Sequence, residues 1–146
     1  MWIGYDGGTT GSGSTQAELD SYYSRFTIKI NDVVQTTNNS HSNYGYSNSI
    51  VCQNARIGRF VSGNYLRGAN VDEFAIWDSN QNSNSSSIYN NGDPFDLMTL
   101  TDKPRHWARM GDADDSYPYL QDYGTEETLI WEMNNMTSAD IVSDVP

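Results

Sequence analysis

Basic residues are scarce in this chain: 8 Lys and Arg stand against 19 Asp and Glu, giving a net charge of −11. A surface this acidic repels phosphate backbones, and no Lys/Arg cluster offsets it, so nucleic acid is not expected as a partner. The same charge opposes docking on anionic lipid. It is consistent with simple solubility or with carboxylates that bind cations. Cysteine occurs once, at Cys52, which excludes an intramolecular disulfide and a thiolate metal cage. Its neighbours Ile50 and Val51 mark it as a buried structural thiol. No apolar run reaches the ~20 residues of a spanning helix, and the first residues lack the basic-then-apolar order of a signal peptide. Membrane insertion is not expected.

What the chain does have is aromatic residues, at 12%, and polar turn formers. Its 146 residues suffice for one ordinary domain with a real core. A core leaning on Tyr, Trp and Phe suits pleated, half-buried surfaces better than helices. Residues 25–31 (RFTIKIN) alternate Phe26, Ile28 and Ile30 with polar neighbours, the period-two pattern of a sheet with one buried face. Asn31-Asp32 supplies a turn, and residues 33–37 return as the hairpin partner. Residues 1–5 read as a short strand, and 17–22 as one helical turn or a bent extended segment. Two more strands are expected at 49–53 and 55–60, and a closing strand at 71–77. A helical turn is expected at 82–90, with a Ser-rich start suited to N-capping and an end at Asn91-Gly92. The Gly-rich stretch at 6–14 has no following Lys and reads as a loop, not a phosphate cradle. Three Asn-x-Ser/Thr triplets, at Asn38, Asn84 and Asn135, are what so Asn-rich a chain carries by chance.

The most telling stretch is VDEFAIWD at 71–78, followed by IYNNG at 88–92. An acidic pair on a strand, a polar bend and an amphipathic turn ending in Asn-Gly resemble the close of a laminin-G-like domain. That domain is a branch of the concanavalin A-like lectin/glucanase superfamily. Residues 105–112 (RHWARMGD), the acidic run after them and 128–138 resemble the opening of such a domain. The resemblance implies an all-β fold: a jelly-roll β-sandwich of antiparallel strands with one short helix near 82–90. Residues 1–92 then form the latter part of a sandwich, 93–104 a Pro-marked linker, and 105–146 a segment like its opening strands. Sandwiches of this kind usually run to roughly 200 residues. The tail is therefore expected to complete the sandwich in cis or by exchange with a neighbour, since an open one leaves bare edges and an uncovered aromatic face. Adding NYLRG at 64–68, PFDL at 94–97 and ADIVSDVP at 139–146, the pattern is similar to structural proteins of tailed bacteriophages of marine bacteria, the cyanophages especially.

Some relatives of this fold cleave glycans with two carboxylates about 5 to 9 Å apart on one face. Asp72 and Glu73, adjacent on an extended strand, point to opposite faces, and no Glu-x-Asp-x-x-Glu spacing occurs. His41 and His106 have no Cys or His partner nearby in sequence, and His106 reads as a strand-edge residue. No enzyme activity is expected. Ca2+ is the one cofactor the chain suggests, since Asp and Asn oxygens suit a hard cation. In the wider superfamily a closing-strand Asp, matching Asp72 here, helps bind a structural calcium. Asp112 and Asp114 add carboxylates, though not as an EF-hand loop, because Tyr117 and Tyr123 stand at its sixth and twelfth positions. The alternative for Asp72 and Glu73 is bonding to loop amides or to Arg67 or Arg109. Glycan contact falls to Tyr44, Tyr46, Asn48 and Tyr65 in polar loops, the alternative being aromatics that pack those loops.

The function expected is a non-catalytic structural or adhesion module of a virion, as capsid decoration, fibre or tail-associated protein. Its partners would be other virion proteins, copies of itself and cell-surface glycans. A calcium-dependent laminin-G-like lectin outside any virion is the alternative.

Overall fold

The computed structural model describes residues 1–6, 15–36, 57, 70–111, 115–126, 129–134 and 136–141. The strands expected at 49–53 and 55–60 lie outside these residues, apart from Ile57, which sits at an exposed bend. Cys52 and the loop at 6–14 beyond Asp6 lie outside them too. The chain divides into two compact units, Met1–Asn70 and Val71–Pro146. Among the described residues every strand pairing is antiparallel and the helices are few and short. The protein is all-β in class. No helix among them is long and apolar enough to cross a membrane.

In the first unit, β1 (Trp2–Tyr5), β2 (Phe26–Ile30) and β3 (Val33–Val34) form one sheet in that order. The register sets Ile3 opposite Ile28 and Tyr5 opposite Phe26. Cross-strand pairing brings the Tyr5 and Phe26 rings to 4.8 Å, a contact worth ~1 kcal/mol beyond area burial. Ile30 pairs with Val33 across a two-residue loop in which Asn31 and Asp32 both have positive φ, 50° and 58°. That is the backbone of a type I′ turn, whose twist matches the strands. Asn and Asp tolerate it without glycine because their short side chains favour the left-handed region.

Helix α1 (Gln16–Tyr23) precedes β2 and is longer than the single turn read from sequence. Its start is a reciprocal capping box. The Glu18 amide donates to Thr15 Oγ1 at 3.3 Å, and the Thr15 amide to Glu18 Oε2 at 3.2 Å. The apolar alternation of β2 does not bury one face as expected. Residues 26–29 are all half-buried, Ile30 is exposed, and Ile3, Val33 and Val34 are exposed with it.

Among the described residues, the buried apolar side chains lie in the second unit. Strand β4 (Phe74–Ile76) pairs with β5 (His106–Ala108), setting Phe74 opposite Ala108 and Ile76 opposite His106. The Arg105 amide extends the ladder to the Ile76 carbonyl at 2.8 Å. Strand β6 (Tyr119–Leu120) pairs with β7 (Trp131–Glu132). Leu97, Trp107, Ala108 and Met133 are buried, and Pro104 is fully enclosed. Leu97 and Pro104 lie within residues 93–104, so that connection packs part of its length.

Helix α2 (Ser85–Tyr89) lies inside the expected 82–90 range. Its start differs from expectation: the N-cap is Asn84, which makes no side-chain cap bond. The Asn84 side chain instead donates from Nδ2 to Gln81 Oε1 at 2.7 Å. The end is as the Asn-Gly signal suggests, with Asn90, Asn91 and Gly92 all at positive φ. Buried Gln81 joins Ser79 to the Asp102 carboxylate and closes the segment before α2 onto residue 102.

Candidate functional site

The chemistry-bearing side chains of the second unit gather along β5 and the loop that flanks it. Tyr123 donates its amide to the Trp107 carbonyl at 2.8 Å, and Glu126 its amide to the Arg105 carbonyl at 3.1 Å. β5 is thus covered on one side by β4 and on the other by residues 123–126. The loop approaches so closely because Gly124 has no side chain. A Cβ there would stand 2.2 Å from the Arg105 carbonyl oxygen and 2.5 Å from the His106 Cα.

Asp122 is the centre of this seam, with only 6% of its surface exposed. Its carboxylate accepts from the amides of Trp107 (2.9 Å), Gly124 (2.9 Å) and Leu129 (3.3 Å). His106 Nδ1 lies 2.7 Å from its second oxygen. Burial pushes the Asp122 carboxyl up. The Trp107 amide, the His106 imidazole and the Gly124 and Leu129 amides outweigh that, and together hold it below the usual carboxylate range. An ionised carboxylate can only accept, so Nδ1 is the donor of the histidine bond. A neutral imidazole held this way keeps its proton on Nδ1 and presents Nε2 as the acceptor.

A carboxylate orienting a histidine is half of a nucleophilic triad. Among the described residues, no hydroxyl or thiol is hydrogen-bonded to His106. Every other partner of Asp122 is a backbone N–H, which makes the group a clamp between β5 and its flanking loop. His106 was read from sequence as a strand-edge residue. It lies in β5, and its side chain reaches across to the flanking loop.

A second cluster forms at the other end of β5. Trp107 Nε1 donates to Glu73, and Glu73 Oε1 is 3.9 Å from Arg109 Nε. The Arg109 guanidinium carbon lies 5.1 Å from the Trp107 ring centre and 5.7 Å from that of Tyr123, between two aromatic faces. A third group, at the surface, joins Arg105 to Asp78 at 2.7 Å and to Glu126. The Arg105 guanidinium holds the Asp78 carboxyl below the usual range, chiefly through their hydrogen bond.

The residues singled out from sequence are placed unevenly. Tyr44, Tyr46, Asn48 and Tyr65, the glycan candidates, lie outside the described residues, as do Asp112 and Asp114. Asp72 is described and exposed, and its Oδ1 accepts from the Glu73 amide at 2.9 Å. Asp72 and Glu73 do not sit on the strand as expected. β4 begins at Phe74, and Glu73 has a positive φ of 53°. The alternation of faces along an extended strand therefore does not govern this pair. Of the acidic run 112–115 only Asp115 is described, and its carboxylate takes the amides of Gly111 (2.8 Å) and Gln121 (2.9 Å). Among the described residues no group of three or more His, Cys, Asp or Glu stands in position to hold a metal ion.

Sequence reasoning missed Asp122 altogether. The available signal was Asp122-Tyr-Gly124, an Asx turn in which a carboxylate accepts the amide two residues on. Comparison with protein-family models, with curated proteins and with solved structures returns no match.

Proposed function

We propose that the chain is a non-catalytic structural or adhesion module of a bacteriophage particle, built as a concanavalin A-like jelly-roll sandwich of the laminin-G-like branch. One observation carries this reading. The strand within VDEFAIWD, which resembles the close of such a domain, pairs antiparallel with the strand within RHWARMGD, which resembles the opening of one. Pairing of that kind supports a tail segment that supplies edge strands to a sandwich. In this reading residues 1–92 are the latter part of the sandwich, 93–104 connect, and 105–146 complete it. The Asp122 clamp suits a scaffold, because it spends its carboxylate on backbone amides. The partners are other virion proteins and copies of the chain, with cell-surface glycans as the external ligand. Many copies on one particle make a weak single site sufficient. Tyr44, Tyr46, Asn48 and Tyr65 are the proposed glycan residues, and Asp72, Asp112 and Asp114 the proposed calcium ligands.

Size-exclusion chromatography with light scattering, run with and without a chelator, tests the reading. A defined oligomer is the expected result. A monomer that binds a soluble glycan only in the presence of Ca2+ would replace the virion module by the free-standing lectin.

A further inference from the structure

The turn that ends α2 carries the one asparagine of the chain that is followed by glycine, Asn91-Gly92. Both residues are exposed and left-handed, Asn91 at φ 58° and ψ 21°, Gly92 at φ 88°. A Cβ placed on Gly92 would meet no atom within 4 Å outside its own turn, so this backbone borders open space. Neighbouring asparagines are tied down. Asn90 donates from Nδ2 to the Asp93 and Pro94 carbonyls, at 3.4 and 3.3 Å. Asn84 donates from Nδ2 to Gln81 Oε1 at 2.7 Å, and the residue after it, Ser85, is buried. Among the described residues, none hydrogen-bonds the Asn91 side chain.

A free side-chain amide beside an unshielded backbone nitrogen is set for an internal reaction. Glycine leaves its nitrogen open to approach because it has no Cβ, and asparagine is among the thermolabile side chains. Loss of the Gly92 amide proton to solvent base lets that nitrogen add to Asn91 Cγ. The Cγ–Nδ2 bond breaks, the side-chain nitrogen leaves as ammonia, and a cyclic imide closes. Water then adds at one of the two imide carbonyls. Opening at Cγ gives aspartate. Opening at the main-chain carbonyl carbon gives isoaspartate, in which the chain runs through the former side chain. One water is consumed and one ammonia released, and nothing is oxidised or reduced. Closure requires Asn91 ψ to turn away from 21°, which breaks the bond from the Asp93 amide to the Asn90 carbonyl at 3.1 Å. That turn also releases a non-glycine residue from the left-handed region, which L-residues occupy at a cost.

We propose that Asn91 is a site of spontaneous deamidation, where water converts the side-chain amide to isoaspartate and aspartate while the chain stays folded. The product sets a carboxylate beside Asp93 and adds one negative charge to a chain that carries −11. Isoaspartate also lengthens the main chain by one carbon within the turn that stops α2.

The test follows the full chain in weakly alkaline buffer, folded and in urea, by peptide mass spectrometry, with isoaspartate scored by an isoaspartate-specific methyltransferase. In the folded chain, conversion at Asn91 should run ahead of that at Asn84 and Asn90, with isoaspartate the larger product. Its rate should rise with pH, because the Gly92 nitrogen must lose a proton, and should lie no more than tenfold below the rate in urea. Gly92→Ala should slow it tenfold or more in urea, a comparison that holds whether or not the variant folds. Conversion at Asn91 more than tenfold slower in the folded chain than in urea overturns the proposal. So does earlier conversion at Asn84 or Asn90, or aspartate formed without isoaspartate.

Discussion

The sheet of the first unit and the seam of the second are built on opposite plans. β1, β2 and β3 pair in regular register through a two-residue turn, yet Ile3, Ile30, Val33 and Val34 remain exposed. β4 and β5 are three residues each, yet Trp107 and Ala108 are among the most buried residues described. The difference lies in what fastens each. Among the described residues of the first unit, a regular backbone ladder joins the strands, with the Tyr5–Phe26 ring contact across it. In the second, one carboxylate gathers three amides and an imidazole, and a glycine lets a loop close on the strand. Short strands become firm when buried polar groups are fully paired, because undoing one contact then leaves several donors unsatisfied.

Substitutions that strike one plan and spare the other sharpen this contrast. Asp122→Ala has the largest expected effect, about 4 kcal/mol lost from the second unit, since it strands buried amides and the imidazole. Urea denaturation followed by tryptophan fluorescence measures it. Gly124→Ala comes next at about 3 kcal/mol, because the new methyl collides with the Arg105 backbone and not with a flexible side chain.

Acid provides a third test. The folded carboxyl of Asp122 is lowered, so the unfolded chain binds its proton more readily. The resulting stability is fully present above the unfolded value, about 3.9, and is lost as pH falls through the folded one. Thermal melts from pH 6 to pH 2 should show that loss, and Asp122→Asn should flatten it. Breaking the exposed Arg105 pairs with Arg105→Gln should cost far less than either, because solvent screens them, and added salt should mute the effect. Smallest of all, Val33→Thr should stay within about 0.5 kcal/mol, because its side chain is exposed. A cost of several kcal/mol at Val33 would mean that its face is covered in solution, and the contrast would fail.

Local order was readable where local chemistry decides it. The β2 alternation, the Asn31-Asp32 turn and the Asn-Gly end of α2 each follow from neighbouring residues. So does α1, whose Thr15-to-Glu18 capping box was in the sequence but unread. The closing strand was legible as apolar residues, but Asp72 and Glu73 were assigned to it. Glu73 instead has left-handed backbone, and its side chain meets Trp107 and Arg109, more than 30 residues away. Burial was the least legible. Period-two patterning says which residues share a face, not whether anything covers that face, so Ile30 reads as core and is exposed. Asp122 escaped notice for the converse reason. A lone acidic residue in a polar stretch gives no hint that His106 and the Trp107 amide will meet it across 16 and 15 residues of chain.

Native-state hydrogen exchange on the wild-type and Asp122→Asn chains tests the clamp most directly. The amides of Trp107, Gly124 and Leu129 should open together in the wild type, with strong protection. All three should lose that protection together in the variant, while those of Ile28 and Lys29 keep theirs. Independent exchange of the three, or protection unchanged by Asp122→Asn, would contradict a carboxylate-centred seam.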